Sequence, residues 1–161
     1  MSLTRFHQAQ SSAYGGYSTA LAEIRRGHKS SHWIWYIFPQ IAGLGRSSTA
    51  QEYALRDLDE ACEYLRDPVL RAHYEEISGA VADQLANGVE GETLMGGSTD
   101  ALKLASSLTL FRAAALHLAG NDASLVALAR RCDSILELLA AQGYPPCHFT
   151  LDRVESDPDR R

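Results

Sequence analysis

Apolar residues recur along this chain at intervals of three and four, the spacing of one helix face, and almost nowhere alternate as a strand's would. Tyr17, Ala20, Leu21 and Ile24 form an early stripe that stops at Gly27, a residue suited to the left-handed turn that closes a helix. Ahead of it, Thr4 is expected to cap a short helix carrying Phe6. Ser47 or Ser48 is expected to cap a helix around Tyr53 and Leu55, and Asp57 with Glu60 three residues on has the form of a capping pair for LDEACEYLR, with Glu60 and Glu63 on its solvated face. Asp67-Pro68 places a cap before a first-turn proline and starts a stripe of Leu70, Tyr74, Ile77, Val81 and Leu85 that ends at Asn87-Gly88. The glycine-rich VEGETLMGGS reads as a loop, free to move over a neighbouring site. Ser98 or Thr99 then restarts a helix that runs through LKLASSLTLFRAAALHLA to Gly120. Asn121 or Asp122 caps a last helical region with Leu125, Leu128, Ile135, Leu138 and Leu139, either one helix or two bent near Asp133, closing at Gly143.

One stretch does not follow this pattern. WIWYIF has the residue types of a buried strand, but it is short, lacks an obvious pairing neighbour and ends at Pro39, which favours a short helix or turn. The resulting expectation is an all-α fold, a single domain of about six to eight helices over 1–154, with a charged, disordered tail at 155–161. The stripes do not persist across heptads, which argues against a coiled coil.

Composition narrows the function classes. The 161 residues, 45% hydrophobic, suffice for one core. A net charge of −5 argues against a protein that coats nucleic acid, which needs a basic face. No apolar run approaches the ~18 residues of a membrane span, and the opening MSLTRFHQAQ has no secretory stretch, so a cytoplasmic location is expected. Cys62, Cys132 and Cys147 are widely spaced and odd in number, which fits a reducing compartment; Cys62 and Cys132 look like small buried hydrophobes. No metal signature is present, and no cofactor is expected.

Candidate chemistry concentrates in three segments. SHWIWYIFPQ sets Trp33 and Trp35 beside His32 and Gln40, so that an indole can stack on a planar ligand while the polar groups hydrogen-bond it, or the rings can simply anchor the core. GLGRSSTAQ delivers Arg46, Ser47 and Ser48 to a helix start, an arrangement suited to phosphate or carboxylate, although ordinary capping explains it too. It matches neither a phosphate-binding loop nor a dinucleotide fingerprint. In GSTDALKLASSLTLF, helical spacing puts Asp100, Lys103 and Ser107 on one face with Ser106 alongside, while Leu102, Leu108 and Phe111 turn to the core. Among general acids and bases, His32, Glu52 and Asp100 are the catalytic candidates. His7, His73, His117 and His148 have no partner identifiable from sequence.

SHWIWYIFPQ, GLGRS and the later D-x-x-K-x-x-S-S-x-T-L-F resemble the signature of a bacterial family of unknown function, some of whose members carry the label calpastatin. That resemblance implies a mainly helical fold and no established activity. A calpain inhibitor works through long disordered repeats, so the label does not suit this chain. A more distant likeness is to small helical proteins that process ADP-ribose and riboflavin-pathway intermediates; no reaction transfers from it.

The expectation is that the three segments converge on one cleft for a small anionic, partly planar metabolite, a nucleotide or ADP-ribose-like compound. Trp33, Trp35, Gln40, Arg46, Ser47, Lys103 and Ser107 would bind it, with hydrolysis of an N-glycosidic or phosphoester bond the first reaction class to test. The rival is a non-catalytic interaction or dimerisation module using the tryptophans, and a homo-oligomer is compatible with the sequence.

Overall fold

In the computed structural model, which describes residues 3–155, ten helices follow in order: α1 (Thr4–Gln10), α2 (Tyr17–Arg26), α3 (Ile34–Ile37), α4 (Ser48–Tyr53), α5 (Leu58–Arg66), α6 (Pro68–Ala86), α7 (Gly91–Leu94), α8 (Ser98–Ala119), α9 (Ala123–Ala141) and α10 (His148–Glu155). Among the described residues there is no strand, only one isolated parallel bridge between Ile41 and Leu55. The long α8 is the hub. It is buried on most of its circumference and packs against α9, α5 and α10. No described helix is long and apolar enough to cross a membrane.

The capping chemistry is largely that of the sequence. Asp67 accepts from the backbone N–H groups of Val69 and Leu70 and Pro68 opens α6; Asp122 does the same for Ser124 and Leu125 at α9. Gly27 ends α2 at φ 87°, inside the left-handed region. At α5 the Asp57 carboxylate accepts from Glu60 N–H, while Glu60 reaches back one residue further, to the Arg56 N–H. Glu60 is not on a solvated face: it is fully buried and pairs with Arg5 at 3.4 Å, because α1 lies over the start of α5.

Several expectations need correction. Thr4 does not cap α1 through its side chain; it is the first helical residue, after Leu3. The segment 89–98 is not an open loop. It contains α7, buries Leu94 and Met95, and is tied down by a 2.8 Å hydrogen bond from Lys29 N–H to the Leu94 carbonyl, so it cannot swing as a lid without exposing core. α9 runs unbroken past Asp133. The helix count exceeds eight because α3 and α7 are single turns and because α10, beyond the two prolines Pro145 and Pro146, was not anticipated. Of the expected tail at 155–161, Glu155 closes α10, and the rest lies outside the described residues.

The core is threaded by contacting rings. Phe6 meets Tyr64 at 5.2 Å, Tyr64 meets Phe111 at 5.2 Å, Phe111 meets Tyr74 at 4.2 Å, Tyr74 meets Phe38 at 5.7 Å, and Phe38 meets Trp33 at 6.3 Å. Each buried phenol finds a partner. Tyr64 Oη accepts from Gln10 Nε2, and Tyr74 Oη bonds Ser107 Oγ at 3.0 Å. Burial pushes both phenols well above their usual range, so neither ionises in the fold.

Candidate functional site

The first wall of the site is the stretch between α3 and α4. Pro39 stops α3, and the chain then turns back so that the Ala42 N–H donates to Leu55 O at 2.7 Å and the Leu55 N–H to Gln40 O at 2.9 Å. This pinch holds residues 42–54 as a closed loop. Gly43 sits at φ 102°, and a Cβ there would come within 2.9 Å of the Phe149 ring, so the loop can lie against α10 only with glycine at its bend. Ser47 caps α4 by accepting from the Ala50 N–H, and the Gln51 side chain donates to Arg46 O, which fixes the backbone at Arg46. The Arg46 side chain itself is exposed and makes no ion pair among the described residues.

The second wall is the outer face of α8's first turns. At 100° per residue, Thr99, Leu102, Lys103 and Ser106 share that face. Asp100 and Ser107 lie about one residue's rotation further round, toward the core. Ser107 is therefore fully buried against Tyr74, and its neighbour Ser106 occupies the cleft instead. Leu102, expected in the core, is 51% exposed at the cleft.

Between the walls lies an open cleft of about 440 Å³. Gln40, Leu44, Arg46 and Ser47 line it from the loop; Thr99, Leu102, Lys103 and Ser106 line it from α8. The Lys103 ammonium stands 5.0 Å over the ring of half-buried Trp35. The Trp35 Nε1 is buried without a protein acceptor. A narrow slot lined by Trp35, Gln40, Gly45, Ala50 and Tyr53 adjoins the cleft and shares Gln40, Gly45 and Ala50 with it.

Behind the cleft lies a polar network that the sequence did not reveal. Lys29 is buried, with Nζ 2.8 Å from Asp100 Oδ2, donating to Ser31 O at 2.5 Å, and 4.8 Å above the Trp33 ring. Asp100 Oδ1 in turn faces Lys103 Nζ at the longer distance of 3.8 Å. Next to it, buried Glu23 accepts from the N–H groups of Ser30 and Ser31, from Ser31 Oγ and from Trp33 Nε1, all within 2.9 Å. Burial opposes the charge on Glu23, but the donors from Ser31, Ser30 and Trp33 outweigh it and hold the carboxyl down at about 2.

These placements divide the anticipated residues. Gln40, Arg46, Ser47 and Lys103 come together in the cleft, and Trp35 lines the adjoining slot beneath the Lys103 ammonium. Trp33 does not reach it: the indole is 0% exposed and has no face for a ligand, because its N–H is committed to Glu23. Ser107 is likewise interior. Of the catalytic candidates, His32 and Glu52 are exposed and outside the cleft lining, and Asp100 is engaged by two lysines. With one indole sealed and the other under an ammonium, the tryptophans form no flat apolar patch of the kind an interaction hot spot needs. The histidines without assigned partners acquire them in two cases: His7 Nε2 lies 2.6 Å from Asp67, and His73 bonds Gln10 at 2.7 Å while stacking on Tyr17. Lys29 carries no sequence signal, since its partner Asp100 is brought to it only by tertiary packing, whereas the partners of Glu23 lie 7 to 10 residues ahead of it, across the turn at Gly27.

A family model described as "Protein of unknown function (DUF1810)" matches residues 1–129. The crystal structure of a conserved hypothetical protein from Mycobacterium tuberculosis is similar over 96% of this chain and 97% of that one, at 30% identity and a TM-score of 0.73. No curated protein matches the chain.

Proposed function

For a chain that belongs to the DUF1810 family of unknown function, we propose that the cleft between the 40–54 loop and α8 binds a small anionic, partly planar metabolite of the nucleotide or ADP-ribose-like class. One observation carries this. Arg46 and Lys103 open onto a single cleft of about 440 Å³, and none of the residues lining it is acidic. Two cations facing one concavity, with no carboxylate in its lining and the nearest one, Asp100, held more closely by Lys29 than by Lys103, attract an anion, and the Ser47 and Thr99 hydroxyls add neutral hydrogen-bonding partners. A planar group would rest against the aliphatic walls of Leu44 and Leu102, since Lys103 already covers Trp35. Binding is better supported than hydrolysis, because no candidate acid or base stands free within the lining.

Thermal-shift titration with AMP, ribose 5-phosphate and ADP-ribose tests the proposal. A ligand present at a hundred times its dissociation constant adds about 2.7 kcal/mol of apparent stability. Arg46→Ala or Lys103→Met should weaken binding by about 1.5–3 kcal/mol, the value of one charge-assisted hydrogen bond, with the ligand-free melting temperature little changed. No shift with any of the three, or shifts that ignore both substitutions, would overturn it.

A further inference from the structure

We propose that the anionic group taken by this cleft is a dianionic phosphate monoester, and that buried Lys29, which lines no part of the cleft, is the positioning residue that gives the cleft its charge. The proposal rests on the anion-binding reading above and specifies its ligand class.

The inference comes from counting charges outward from the core. Five charged groups stand in or directly behind the cleft: Glu23, Lys29, Asp100, Lys103 and Arg46. Of the two carboxylates, Glu23 is held by four neutral donors and pairs with neither cleft cation, while Asp100 is shared unequally, 2.8 Å from Lys29 Nζ and 3.8 Å from Lys103 Nζ. Lys29 holds the shorter contact and is the more deeply buried of the two lysines, its side chain 4% exposed against 27% for Lys103. Interaction between charges strengthens as they leave water, so the buried pair is effectively neutral within itself. Lys103 meets the other Asp100 oxygen at the longer distance and stands over Trp35 at the cleft, so it shares a carboxylate already engaged by Lys29. Arg46 has no acidic partner among the described residues. Two positive charges are thus left facing the cleft, together with the Ser47 and Thr99 hydroxyls, the complement of one dianion with several acceptor oxygens. Were Lys29 absent, Asp100 would turn wholly to Lys103, and one of those charges would be lost.

Phenyl phosphate and phenyl sulfate have nearly the same shape, yet near pH 8, about two units above the second phosphate ionisation, the first is a dianion and the second a monoanion. Calorimetric titration of the full chain with each should give phenyl phosphate an advantage of about tenfold or more. Lys103→Met should reduce that ratio toward one. Lys29→Met should reduce it as well, although Lys29 touches no ligand, and the double variant Lys29→Met/Asp100→Asn should restore it by freeing Lys103. A merely structural lysine would show no such rescue. Equal binding of the two probes to the unaltered chain overturns the dianion inference while leaving an anion cleft. Binding of neither overturns the cleft reading itself. A Lys29→Met chain that folds and keeps the full preference overturns the positioning role. If that variant does not fold, the phosphate-to-sulfate ratio of the unaltered chain and of Lys103→Met still decides the ligand class.

Discussion

Among single residues, Glu23 makes a charge-linked contribution to stability that can be followed by pH. Its carboxyl is lowered from 4.5 to about 2, after burial, which favours the neutral acid, has been overcome by four donors. The folded-state value is the depressed one, so its contribution is complete above about 4.5 and is lost as pH falls toward 2. At 1.36 kcal/mol per unit, this amounts to about 3 kcal/mol. Glu23→Gln should remove about that much at neutral pH and flatten the acid limb between those two values, measurable as urea midpoints across a pH series. An unchanged acid limb would show that another carboxylate governs it. His73 acts in the same direction at higher pH: burial lowers it below its usual value, so protonation as pH falls through that range favours unfolding.

At the level of the element, helix periodicity fixes where α8 lies but not how it is rolled. The stripe pattern placed Leu108 and Phe111 inside correctly, yet put Leu102 inside and Ser107 outside, because α8 is buried on so many sides that its apolar residues no longer mark a single face. Serine adds to the ambiguity, since it is polar by type but packs inside readily once its hydroxyl has a partner such as Tyr74. Ser106 and Ser107 are a controlled pair for testing this roll. Ser107→Ala leaves the buried Tyr74 hydroxyl without its partner and should destabilise by about 1–3 kcal/mol. Ser106→Ala, losing only a bond to its own helix's Leu102 carbonyl, should stay within about 0.5 kcal/mol. Equal losses in thermal melts would mean that α8 is rotated from the position described. Caps were far more legible than faces. Asp57, Asp67 and Asp122 each act on residues two or three ahead, within reach of local sequence, whereas Lys29 and Asp100 meet only after the whole chain has folded.

For the molecule as a whole, the matched family region ends at residue 129, part-way along α9. Physically the domain does not end there. Cys132, Ile135, Leu136 and Leu139 of α9 are buried, and α10 adds Val154 against α8 and a hydrogen bond from the Cys147 N–H to Thr109. A chain shortened to 1–129 should lack a cooperative thermal transition. One ending at Pro146 should keep it, with stability lower by about 1.5–3 kcal/mol for the lost side-chain burial. Calorimetry distinguishes them, and a cooperative 1–129 fragment would show that the second half of α9 is dispensable.

The unequal fates of the two indoles make the protein its own optical gauge. Trp33, sealed and bonded to a carboxylate, should emit at short wavelength and ignore solutes such as iodide, while Trp35, half-buried beneath a movable ammonium, should brighten or dim whenever Lys103 is drawn aside. Occupancy of the cleft can therefore be followed by ordinary fluorescence, without a dye and with a steady internal standard in the same spectrum.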